Sequence, residues 1–150
     1  MTLLPTIQEI QLFGVFDRGI PNKERVVLRP TIALDIGNYI VVLGASVPGP
    51  SELVTPLRDH MVWFGSGQLS QGDWIFLYTG HGTPSRFPTA GGKGQILTTY
   101  WKHDQTLFHD AQFVPVILRL SGLLMEARPT PAAQHALMPL MALTAGQIEK

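Results

Sequence analysis

The side chains with the widest chemical scope are the five histidines, in a chain with no cysteine. Imidazole changes charge near neutral pH and can act as acid, base or metal ligand. Two histidines stand in the dipeptides His103-Asp104 and His109-Asp110, on either side of Gln105-Thr106. A hairpin there would let their side chains meet, and His81 in the loop Gly80-His81-Gly82 could join them. Histidine with carboxylate suits zinc, manganese or a proton relay. The competing reading is turn chemistry, in which Asp caps backbone amides and His faces water. No metalloenzyme spacing is present, so the turn reading is preferred. His81, His103, Asp104, His109 and Asp110 remain the metal or acid–base candidates.

Two further patterns fail on context. Gly91-Gly92-Lys93-Gly94 resembles a phosphate loop, but that motif needs Lys-[Ser/Thr] followed by a helix, and here Lys93 precedes Gly94 and a strand. Ser66 in Gly65-Ser66-Gly67 lacks both the nucleophile elbow and its helix. Without cysteine there are no disulfides, thiolate metal sites or cysteine nucleophiles. No catalytic residue and no cofactor is predicted.

Aromatic residues offer binding rather than catalysis. Strand alternation sets Trp74, Phe76 and Tyr78 on one face and Ile75 and Leu77 on the other. Neither face is polar enough to stand in water. One must fill a core, and the other must be covered by a loop, the tail or a partner. With Tyr100 and Trp101 these rings form a candidate surface for protein, and alternatively for carbohydrate.

The elements that must position these groups read as strands. Apolar residues recur with period two at Ile10, Leu12, Gly14 and Phe16. Glu24 to Pro30 sets Val26 and Leu28 on one face and Arg25, Val27 and Arg29 on the other. Tyr39 to Leu43 is continuously apolar, as in a strand buried on both faces. Residues 44–56 and 80–94 read as long Gly/Pro-rich loops, with a brief strand at Met61 to Phe64. Trp74 to Thr79, Gln95 to Trp101 and Phe113 to Leu120 complete the set, and Pro115 implies an edge or a bulge. Gly 15 and Pro 12 suit many turns rather than a helical bundle. The fold class is therefore all-β, a sandwich over residues 1–122, followed by a partly helical tail over 123–150.

The landmarks also resemble the lamin-tail domain, an immunoglobulin-like sandwich. Arg25-Val26-Val27-Leu28-Arg29 precedes the turn Asp35-Ile36-Gly37-Asn38-Tyr39, and Leu69-Ser70-Gln71-Gly72-Asp73 leads into Trp74 to Leu77 and then Gly80-His81-Gly82. Tyr100-Trp101 matches the family's aromatic pair. Leu107 to Asp110 with Val114 to Leu120 looks like its closing strands. The segment Phe108 to Phe113 departs from the family by lacking its glycine and amides. The resemblance implies an immunoglobulin-like interaction module with no shared catalytic residues.

With 150 residues, Lys+Arg 11 against Asp+Glu 11, and 45% hydrophobic residues, one neutral domain can bury a core. Zero net charge gives no reason to expect nucleic acid. The longest apolar runs are about five residues, too short for the roughly 20 of a membrane helix. The N-terminus reads as no signal peptide, so a cytoplasmic location is expected. The tail carries Leu137, Met138, Leu140 and Met141, too apolar for an inert linker, and is expected to dock in cis or on a second copy. The favoured function is a non-enzymatic module that binds a protein partner or itself. The alternatives are a small metal-dependent or acid–base enzyme and a carbohydrate-binding module.

Overall fold

The computed structural model describes residues 5–47 and 53–128. Ten strands occur there: β1 (Ile10–Phe16), β2 (Arg25–Pro30), β3 (Leu34–Asp35), β4 (Tyr39–Val47), β5 (Leu53–Trp63), β6 (Gln68–Leu69), β7 (Trp74–Tyr78), β8 (Ser85–Pro88), β9 (Gln95–Tyr100) and β10 (Phe113–Arg119). The only helix among the described residues is a single 3-10 turn, Ile36–Asn38. The order β1-β2-β7-β9-β8 makes a five-stranded sheet, and β10-β4-β5 makes a three-stranded one; β3 and β6 form a small third ladder. The chain is an all-β sandwich.

The core lies between the two larger sheets. Val26, Leu28, Ile75 and Leu77 from the first meet Tyr39, Val41 and Leu43 from the second. Each fully buried aliphatic side chain contributes about 1.5–3 kcal/mol. The ends of this layer are closed by Ile36 of the 3-10 turn and Leu69 of β6, and by the loop residues Trp101, Leu107 and Phe108 beyond β9. The strand pairs are antiparallel except β7 with β9, which run parallel from Trp74↔Ile96 to Tyr78↔Tyr100. Asp73 sets the start of that pair, because its two carboxylate oxygens accept from Ser70 N (2.8 Å) and Gln95 N (2.9 Å).

Three sequence expectations change. Residues 44–56 are not one long loop: β4 continues to Val47, and β5 starts at Leu53 and runs to Trp63. The two form a hairpin whose pairing shifts register between Val42 and Gly44. Prolines hid β5, yet Pro56 is tolerated because β5 is an edge strand. Residues 80–94 contain β8, which pairs with β9 despite Pro88 because it too is an edge. Leu107 to Asp110 forms no strand; Leu107 and Phe108 turn into the core instead. Pro115 lies on β10, an edge strand paired only with β4. No helix among the described residues is long and apolar enough to cross a membrane. Leu123, Leu124 and Met125 are exposed. The predicted helices of the tail, with Leu137, Met138, Leu140 and Met141, lie outside the described residues.

Candidate functional site

In an antiparallel sheet with one solvated face, the outward positions are usually polar. The five-stranded sheet breaks that rule. Arg25, Val27 and Arg29 of β2 point outward, beside Trp74, Phe76 and Tyr78 of β7, as the registers Arg25↔Tyr78 and Val27↔Phe76 require. Tyr100 continues the row from β9 and stacks on Tyr78, with ring centroids 5.4 Å apart.

β1 adds two more rings by a local device. Phe13 and Phe16 are three residues apart, so simple alternation would send them to opposite faces. Pairing slips between Leu12 and Gly14, placing one extra residue, Phe13, in a bulge. Gly14 supplies the positive φ (117°) that this backbone needs, where an L side chain would be strained. As a result Leu12 still pairs with Leu28 and Val15 still packs on the core, while Phe13 and Phe16 both face out, 46% and 43% exposed. The period-two pattern had put Phe16 on the same face as Ile10 and Leu12. The bulge reverses that, and the lone glycine within the strand was the signal for it.

Guanidinium groups fill the gaps between these rings. Arg25 lies 5.5–5.8 Å from the centroids of Phe16, Phe76 and Tyr78. Its Nη1 donates to Asp17 Oδ2 at 2.7 Å and to the Lys23 carbonyl at 3.0 Å, while its Nε is buried with no hydrogen-bond acceptor. Arg29 sits 4.9 Å over the Trp74 ring, whose centroid is also 5.0 Å from Phe13. Beside Arg25 and above Val27, a depression of about 300 Å³ is walled by Phe13, Phe16, Trp74, Phe76 and Ile96. Arg25 lines this apolar notch, and Arg29 stands over Trp74, one of its walls.

The other aromatic candidate, Trp101, is placed differently from expectation. Alternation turns it inward from Tyr100, and it packs edge-on to Phe108 in the core at 8% exposure. It belongs to no surface platform.

The histidines lie elsewhere, at the end of the sandwich beyond β7 and β9. His81 Nε2 meets Asp104 Oδ1 at 2.7 Å, but the two side chains are 59% and 94% exposed. Pairs so solvated contribute between nothing and about 1 kcal/mol. His109 Nδ1 lies 3.2 Å from the Thr106 carbonyl, and Asp110 Oδ1 caps Gln112 N. His103 stacks on His60 of β5, centroids 5.1 Å apart and planes at 11°, and meets Trp101 edge-on. Burial, with the neighbouring His60, lowers the His103 pKa, while Asp104 pulls it upward. The predicted five thus separate into a His81–Asp104 pair, a His103–His60 stack and two turn residues. Among the described residues no three His, Asp or Glu side chains group as metal ligands would. His60, which composition alone did not single out, becomes the partner of His103 because the β4–β5 hairpin brings it there.

Beneath this end sits the most buried charge among the described residues. Glu24 is 1% exposed, and its carboxylate accepts from Gly19 N (2.7 Å), Thr79 Oγ1 (2.9 Å), Leu107 N (2.6 Å) and Phe108 N (3.1 Å). It has no open side for a substrate; its role is to pin three loops together. At the opposite end of β4, Glu9 accepts from Tyr39 Oη and Arg119 Nη1, each at 2.7 Å. These bonds drop the Glu9 pKa to about 2, and burial beside that carboxylate raises Tyr39 to about 12.

Comparison with family models, with curated proteins and with solved structures returned no match to this chain.

Proposed function

We propose that this sandwich is a non-enzymatic interaction module, and that the outer face of its five-stranded sheet receives a protein partner. One observation carries the reading: a bulge and three adjacent strands collect Phe13, Phe16, Trp74, Phe76 and Tyr78 around Arg25 and Arg29 on an outward face. Trp, Tyr, Phe and Arg are the residues enriched at the centres of protein interfaces, while Lys, Glu and Asp are depleted there. No lysine or carboxylate lies on the outward positions of β1, β2 and β7 around Val27. Carbohydrate or stacked bases would need open ring faces. Here guanidinium groups or other rings already occupy one face of Phe76, Tyr78 and Trp74.

The histidine end supports an enzyme less well, since its one close His–carboxylate pair among the described residues is solvated. The lamin-tail resemblance belongs to the same proposal. It is supported by the Asp35 turn, where the carboxylate accepts from Gly37 N and Gly67 N ahead of the apolar strand β4.

Selection from a displayed random-peptide library against the full chain tests the reading. Enriched peptides should lose binding to Trp74→Ser and Phe16→Ser but keep it with Met61→Ser on the other sheet. Retention by both outer-face variants, or no enrichment, would overturn it.

A further inference from the structure

The notch above Val27 has a polarity that narrows its occupant, and this inference rests on the reading of that face just given. We propose that it takes an extended acidic peptide with a large apolar residue in the notch and Asp or Glu two positions to either side.

The spacing comes from the strand itself. Arg25 and Arg29 occupy the same face of β2, four residues apart, which at about 3.3 Å per residue separates their Cα atoms by roughly 13 Å. Val27 lies midway, under the depression that Phe13, Phe16, Trp74 and Phe76 enclose. An extended peptide has the same repeat, so an anchor over Val27 places its neighbours two positions away over Arg25 and Arg29. The notch, about 300 Å³, admits one side chain of Phe or Leu size.

The charge of the rim decides what flanks that anchor. Arg25 is one-fifth exposed and shares only Nη1 with Asp17 and Lys23. Its Nε lacks an acceptor, and the group is held upright among three rings rather than folded onto a second carboxylate. Arg29 is braced over Trp74. A guanidinium fixed by ring contacts is pre-organised to receive a carboxylate on a remaining N–H donor, and such charge-assisted bonds are the strong ones. A basic or neutral peptide would bury the same apolar area but leave Arg29 desolvated without a counter-charge and Arg25 with Asp17 alone. A second copy of this chain would have to present an acidic–apolar segment of the same spacing. A nucleic acid would supply anions but no side chain to fill the notch.

Fluorescence polarisation on the full chain tests this with labelled peptides built around Glu-Ser-Phe-Ser-Glu, Gln-Ser-Phe-Ser-Gln, Lys-Ser-Phe-Ser-Lys and Glu-Ser-Ala-Ser-Glu, and with a labelled oligothymidylate. The Glu–Phe peptide should bind tightest. Exchanging its Glu for Lys, or its Phe for Ala, should each weaken binding about tenfold or more, by like-charge repulsion and by loss of the anchor. Arg29→Gln should shrink the Glu-over-Lys preference while leaving the Phe-over-Ala preference intact. If the Glu, Gln and Lys peptides bind alike, and all lose to Phe16→Ser, the acidic specificity is refuted while the face remains a peptide site. If none of the peptides responds to Phe16→Ser or Trp74→Ser, the reading of the face falls with it. Tighter binding of the oligothymidylate than of the Glu–Phe peptide would refute the peptide class outright.

Discussion

Replacing Glu24 with Ala should be among the most damaging single changes in this fold. The carboxylate is 1% exposed and receives four donors, three of them backbone amides of loops that are otherwise joined chiefly through Arg18, which donates to the Phe108 carbonyl. A hydrogen bond to a charged group is worth about 1.5–3 kcal/mol, and a buried amide left without a partner costs about 1–3 kcal/mol. The four losses do not add fully, because water can enter the space vacated and because neighbouring bonds in a network are coupled. Removal of one member of a buried charged network therefore points to about 3–5 kcal/mol. With a urea m-value of about 1–3 kcal/mol/M, the midpoint should fall by roughly 2 M. Glu24→Gln keeps one carbonyl oxygen for Thr79, Leu107 and Phe108 but turns an amide NH₂ toward Gly19 N, and should cost about half as much. Thr79→Val removes a single donor and should cost about 1 kcal/mol. Urea titration followed by far-UV circular dichroism measures all three. A loss below about 1 kcal/mol for Glu24→Ala, at an unchanged m-value, would refute the argument that this carboxylate holds the loops.

Other consequences follow from particular contacts. Gly94→Ala would bring a methyl group within 2.2 Å of the Gly72 carbonyl oxygen, a backbone atom that cannot step aside, and should lower stability in urea by about 3 kcal/mol. Gly14→Ala meets open space but keeps φ at 117°, so its cost of about 1–3 kcal/mol would be conformational, and Trp74 should lose its Phe13 contact if the bulge closes. Because the His103 pKa is depressed in the fold, protonation favours the unfolded chain. Stability should be fully present above pH 6.5 and decline as the pH falls below it, and His103→Phe, which keeps a ring against His60, should flatten that slope. Glu9, held near 2 rather than 4.5, should contribute stability above pH 4.5 that is lost between about 4.5 and 2, and Glu9→Gln should remove that component of acid unfolding.

Much of this arrangement was legible in the residues. The alternation Arg25-Val26-Val27-Leu28-Arg29 correctly assigned both faces of β2, and Trp74 to Tyr78 assigned those of β7, because each runs without interruption between turns. Where the chain departs from regular pairing, pattern reading failed. Proline and glycine disguised the start of β5 and all of β8, since both residues are admissible on an edge strand that the sequence cannot mark as an edge. The bulge at Phe13-Gly14 could be suspected from a glycine inside a strand, but its effect on Phe16 needed the register. Trp101 joins the candidate surface through the Tyr100-Trp101 pair, yet it stands just past the end of β9 and packs into the core. The His60–His103 stack joins positions far apart in sequence, and no local spacing encodes it. Glu24 carried no motif at all: a single acid beside a strand looks like ordinary surface until four donors are seen to converge on it.

The claim that the outer aromatic and arginine face is the binding face is tested most directly by amide chemical-shift mapping on the full ¹⁵N-labelled chain. The titrant would be a peptide selected from the random library. The predicted result is a set of shifts centred on Phe13, Phe16, Val27, Phe76 and Tyr78, lost in Trp74→Ser. Shifts centred instead on the His60–His103 end, or on Met61 and Trp63 of the three-stranded sheet, would contradict it.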